Sequence, residues 1–167
     1  MTLSIEYKLT GPGWAECTIA NADQTCTVTA SYLSDAFGNL VLSAVAMLNW
    51  FKAVSFSFEE EPGEYKWDLE CRPNNTLDLR ISEAYLNHSV DPSIWEYKLL
   101  FQTTSTQMQF GKAVAVAAKA LLDEYGEAGY LEKWIEYPFP TESLRQLNEK
   151  VAYYSQFPHI FPDDQTL

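Results

Sequence analysis

The sequence predicts an α+β fold: an antiparallel sheet of about seven strands in two meanders, with helices packed on one face. Three observations carry this. Each strand-like segment alternates apolar with polar residues, the signature of sheets covered on one side, whereas parallel α/β strands read as continuous apolar runs. The stretch Ala36–Phe51 is uncharged and apolar all round, which requires a helix covered on more than one side. From residue 107 onward the apolar residues recur at helical spacing.

The first strand places Leu3, Ile5, Tyr7 and Leu9 on one face against Ser4, Glu6 and Lys8, and Gly11-Pro12-Gly13 ends it. Ala15, Cys17 and Ile19, then Cys26, Val28 and Ala30, alternate with polar neighbours around the turn Asn21-Ala22-Asp23. They make a hairpin whose outer face is rich in threonine. Ser34 is placed to cap a helix over 34–51, with Asp35 at the positive end of its dipole. In the second meander, Val54, Phe56 and Phe58 face Tyr65, Trp67, Leu69 and Cys71 across Glu61-Pro62-Gly63-Glu64, which fits a type II turn. Leu77, Leu79 and Ile81 follow. Trp95, Tyr97, Leu99 and Phe101 give the last strand, and the alternation assigns all four to the inward face. Phe110, Val114, Ala117, Leu121 and Tyr125 form a helical stripe stopped by Gly126, and a short segment runs from Tyr130 to Ile135. After the break Pro138-Phe139-Pro140, Thr141 caps a last helix. The chain thus reads as a single domain over 1–167: 1–106 mainly β, 107–155 helical, and 156–167 an extended tail.

Composition narrows the function. Eleven Lys and Arg against 23 Asp and Glu give a formal charge of −12, while 47% hydrophobic residues suffice for a core. A balance this acidic disfavours nucleic acid and anionic membrane surfaces, whose binding draws on Lys and Arg. It suits a basic partner. The N-terminal residues lack the basic start and apolar run of a signal peptide, and Ala36–Phe51 is short for a bilayer span. With three cysteines, Cys17, Cys26 and Cys71, none in C-x-x-C spacing, a reducing cytoplasm is the expected compartment. A Cys17–Cys26 bridge across the hairpin is geometrically possible, though disulfides are rare in that compartment.

No catalytic, cofactor or metal motif emerges. His88 and His159 have no second ligand at helical spacing, Gly11-Pro12-Gly13 is not a phosphate loop, and no serine pairs with a histidine in a recognisable elbow. The inward cysteines read as small hydrophobes. The strongest charge feature is Glu59-Glu60-Glu61, continued by Glu64, around the Pro62-Gly63 turn. Carboxylates used for acid-base work sit in pockets that separate their pKa values; at a hairpin tip they read first as a solvated turn and second as a docking tip for a basic surface. Asp68, Glu70 and Asp78 extend the patch, interrupted by Lys66, Arg72 and Arg80.

Ser31-Tyr32-Leu33-Ser34-Asp35-Ala36-Phe37-Gly38, Glu61-Pro62-Gly63-Glu64-Tyr65 and Tyr137-Pro138-Phe139-Pro140 are similar to landmarks of a family of small uncharacterised bacterial proteins. The resemblance implies a bacterial, cytosolic protein and brings no activity or catalytic residue with it.

The leading expectation is therefore a non-catalytic, immunity-protein-like binder of a basic protein. Its partner contacts would be Glu59, Glu60, Glu61, Glu64 and Asp68. A small-molecule binder or hydrolase with an aromatic-lined pocket using Glu83, His88 or Glu136 is the alternative. A homodimer through the helix 36–51 is the third.

Overall fold

A computed structural model describes residues 3–86 and 94–161 of the chain. The fold is α+β, but the seven strands of the described residues form two antiparallel sheets rather than one. The first sheet is the meander β1 (Ser4–Gly11), β2 (Trp14–Ala20) and β3 (Thr25–Ser31). Its register sets Tyr7 opposite Cys17 and Cys17 opposite Val28, so the apolar row points inward, as the alternation requires. On the outer face the Thr18 and Thr27 hydroxyls lie 2.8 Å apart in a cross-strand hydrogen bond. Asn21 folds the second turn by accepting the Asp23 and Gln24 backbone N–H groups at 2.9 and 2.8 Å. Ile19, not Cys17, sits opposite Cys26, and all three cysteines are free thiols.

The second sheet has the order β4 (Ala53–Glu60), β5 (Gly63–Arg72), β6 (Thr76–Leu86) and β7 (Trp95–Thr106), with a 3-10 turn at Pro73–Asn75. The two sheets stay separate because β3 delivers the chain into a helix instead of a fourth ladder. Its end meets β4 through hydroxyls: Ser31 Oγ donates to the Glu59 carbonyl at 2.9 Å, and the Glu59 N–H donates to Ser34 Oγ at 3.4 Å. At the opposite edge Asn21 Nδ2 donates to Thr103 Oγ1 of β7 at 2.9 Å. The smaller sheet therefore reaches across the width of the larger one.

Two local features depart from expectation. The Glu61–Pro62 peptide is cis and Gly63 lies outside the left-handed region, so the turn is not type II. Glycine is needed there for space, since a Cβ at Gly63 would stand 2.6 Å from the Ala84 carbonyl oxygen. In β7, Ile81 pairs with Phe101 but Ser82 pairs with Leu99, leaving Leu100 as an inserted residue. The bulge reverses the phase of the strand. Phe101 stays buried, while Trp95, Tyr97 and Leu99 turn out onto the open face beside Lys66 and Ser82.

Helix α1 spans Ala36–Met47, shorter than 34–51. Asp35, not Ser34, is the N-cap, its carboxylate accepting the Gly38 N–H at 3.0 Å. A Cβ at Gly38 would lie 2.1 Å from Asp35 Oδ2, so the glycine makes room for the cap. The helix is covered within the chain by the second sheet and the other helices, with Leu42 its one exposed large side chain. Trp50 and Phe51 lie beyond its end. The apolar surface proposed for a homodimer is thus mostly core.

Helix α2 (Gln107–Trp134) is interrupted at Gly126, whose φ of 64° and ψ of 175° stop the first segment where the sequence places a stop. Its second segment buries Tyr130 and Trp134 against β1 and α1. Helix α3 (Thr141–Ser155) starts at Pro140 without a side-chain cap, so Thr141 does not play that part. Of the tail expected to be extended over 156–167, residues 162–167 lie outside the described residues, and 156–161 turn back: Asn75 Nδ2 donates to the Ile160 carbonyl at 2.7 Å, and Phe161 is buried against the Trp50 ring with centroids 4.3 Å apart. One contiguous core joins both sheets and all three helices, with Tyr7, Phe37, Phe58, Trp67 and Trp134 among its largest members.

Candidate partner-binding site

The β4–β5 hairpin builds the site. A two-residue connection fixes the register so that Glu59 stands directly opposite Glu64 on the open face, with Glu60 opposite Gly63. Like charges in directly opposed positions repel. Glu61 occupies the turn and adds a third carboxylate at the same end, Glu59 and Glu61 being exposed and Glu64 half-buried. Glu60 points to the other side, where it and burial raise the pKa of the Tyr65 phenol, burial being the larger cause. Among the described residues no ion pair involves Glu59, Glu60, Glu61 or Glu64.

The rest of the open face behaves differently. Glu70 and Asp78 are also paired across β5 and β6, yet Arg72 bridges them at 3.1 and 2.9 Å. The Asp78 carboxyl is held below its usual range, first by the Arg72 hydrogen bond and then by Thr104. Asp68 accepts from Ser55 at 2.7 Å, lies 3.3 Å from the Lys66 ammonium and pairs across the strands with Arg80. It belongs to this balanced region, not to the tip. The sequence grouped Asp68 with the glutamates by proximity in the chain; register divides them.

An open hollow of about 360 Å³ lies between the Glu59–Glu64 segment, Leu33 and Trp95. Trp95 is the member the sequence missed, because the bulge at Leu100 has no mark in the alternation. Tyr97 follows on the same face, with the Lys66 ammonium 5.6 Å from its ring centroid. The site combines uncompensated negative charge with exposed aromatic surface, the composition that receives a Lys or Arg side chain.

The alternative chemistry is not brought together. Glu83 lies on β6 between Tyr65 and Lys98, Glu136 is exposed beyond α2, and His88 falls outside the described residues. Burial raises all three thiols, Cys17 most strongly, which opposes thiolate chemistry. Among the described residues no cluster of three or more His, Cys, Asp or Glu is placed to hold a metal, and no helix is long and apolar enough to cross a membrane.

No protein-family model matches the chain, and neither a curated protein nor a solved structure is significantly similar to it.

Proposed function

We propose that this chain is a non-catalytic binding protein that docks a basic protein through its acidic hairpin end, as a neutralising immunity protein docks a cationic toxin. One observation carries the reading. Glu59 and Glu64 stand directly opposite each other with Glu61 in the adjoining turn, and no ion pair among the described residues reaches any of the three, while the equivalent pair Glu70 and Asp78 has Arg72. A fold that keeps such repulsion where one substitution would relieve it retains it for a use outside the fold, and an external cation supplies the missing charge. The charge of −12 adds long-range steering toward the same kind of partner.

The test is affinity capture from extracts at low and moderate ionic strength, run in parallel with a Glu59→Gln, Glu61→Gln, Glu64→Gln variant. A basic protein held by the parent chain, released by salt and not held by the variant is the expected result. Retention that ignores both salt and the variant overturns the proposal.

A further inference from the structure

We propose that the edge of β7 from Trp95 to Leu99 takes an extended, cationic segment of the partner as an added strand; this deepens, and rests on, the reading of the acidic end as a docking site. The two edges of the second sheet are unlike. At the hairpin end, β4 is closed by Ser31 and Ser34, whose hydroxyls engage the Glu59 backbone. Strand β7 has β6 as its only strand partner among the described residues.

Natural sheets protect such edges with charge, short length or bulges. Here the charges of the run, Glu96 and Lys98, alternate with Trp95, Tyr97 and Leu99 and so lie on the other face, and the bulge at Leu100 comes after it, leaving Trp95–Leu99 in regular register with β6. Five residues suit a typical short strand. Along this run Trp95, Tyr97 and Leu99 are 42%, 57% and 52% exposed and share one face. An added strand would place alternate side chains directly beside them, main-chain hydrogen bonds giving affinity and side-chain contacts giving choice.

The sign of the occupant follows from charge. Glu64, Ala84 and Tyr97 lie in one row of the sheet, so the acidic end stands about two strand spacings, ~10 Å, from the β7 edge. That is about one screening length at roughly 0.1 M salt and well within one in more dilute salt. The Tyr97 ring already holds the Lys66 ammonium at 5.6 Å, so this aromatic row is suited to cations. A second copy of the chain is the competing occupant, and its own −12 opposes it.

The experiment titrates the isotopically labelled protein with a synthetic octapeptide alternating lysine and valine, followed by amide NMR. Two controls are the same peptide N-methylated at the valines, and a glutamate–valine peptide. The proposal expects shifts concentrated in the Trp95–Leu99 amides. It also expects roughly tenfold weaker binding for the N-methylated peptide and none for the acidic one. Equal affinity for the N-methylated peptide, or shifts confined to Glu59–Glu64, overturns strand addition while leaving the acidic docking site standing. Absence of any shift overturns strand addition, and the capture experiment above then judges the docking site separately. Concentration-dependent β7 shifts without peptide make a second copy the occupant and overturn the proposal.

Discussion

At the scale of single residues, charge placement carries most of the account. Glu59 faces Glu64 with Glu61 beside them, so Glu59→Lys turns a repulsive cross-strand pair into an attractive one. It is expected to raise stability by roughly 0.2–1 kcal/mol, read as a higher urea midpoint, while weakening capture of a basic partner. A lower midpoint would contradict the claim that the pair is uncompensated. Asp35 gives a second case. Burial raises its pKa despite the opposing hydrogen bond from Gly38. Because the folded-state value exceeds the unfolded one, ionisation penalises the fold at neutral pH. That penalty fades as pH falls through the folded pKa and is gone below the unfolded one. Asp35→Asn keeps a capping oxygen without the charge. Its advantage over the parent in thermal midpoint is therefore expected to be largest at neutral pH and to shrink on acidification.

At the scale of elements, what the sequence conveyed depended on whether a period was interrupted. The first hairpin alternates without insertion from Ala15 to Ala30, and its buried row is the one predicted. In β7 the residues Trp95, Tyr97, Leu99 and Phe101 look equally regular. Leu100 is nevertheless an extra residue, and apolar side chains at 95, 97 and 99 are consistent with either face. The acidic tip was legible because it lies within one hairpin. Its separation from Asp68 was not, since Asp78 and Arg80 meet β5 only through its pairing with β6. Similarly, apolar character continued past Met47, but Trp50 adopts a φ of 66° and ends any helical continuation. Gly126 was legible as a stop because few other residues reach its conformation. With no neighbour within 4 Å of an added Cβ, Gly126→Ala isolates backbone strain, expected to cost roughly 1–3 kcal/mol in urea unfolding. An unchanged midpoint would mean that α2 continues through this point.

At the scale of the molecule, the balance of charges is uneven rather than merely negative. Carboxylates along the open face pair with Arg72 and Lys66, Arg80 stands in register with Asp68, and on α3 Arg145 binds both Glu142 and Glu149. Among the described residues the glutamates of the hairpin end have no ion pair, and they lie next to the exposed Trp95. A uniform distribution would attract any cation equally everywhere, whereas this one gives direction to an encounter. Two variants of equal net charge separate these cases by calorimetric titration with an oligolysine peptide. One carries Glu59→Gln, Glu61→Gln and Glu64→Gln; the other carries Glu124→Gln, Glu127→Gln and Glu132→Gln on exposed positions of α2. The account predicts about tenfold weaker binding for the hairpin variant and less than about twofold for the helix variant, both differences shrinking with added salt. Equal losses in the two variants would mean that the peptide responds only to total charge, and would contradict a docking site at Glu59–Glu64.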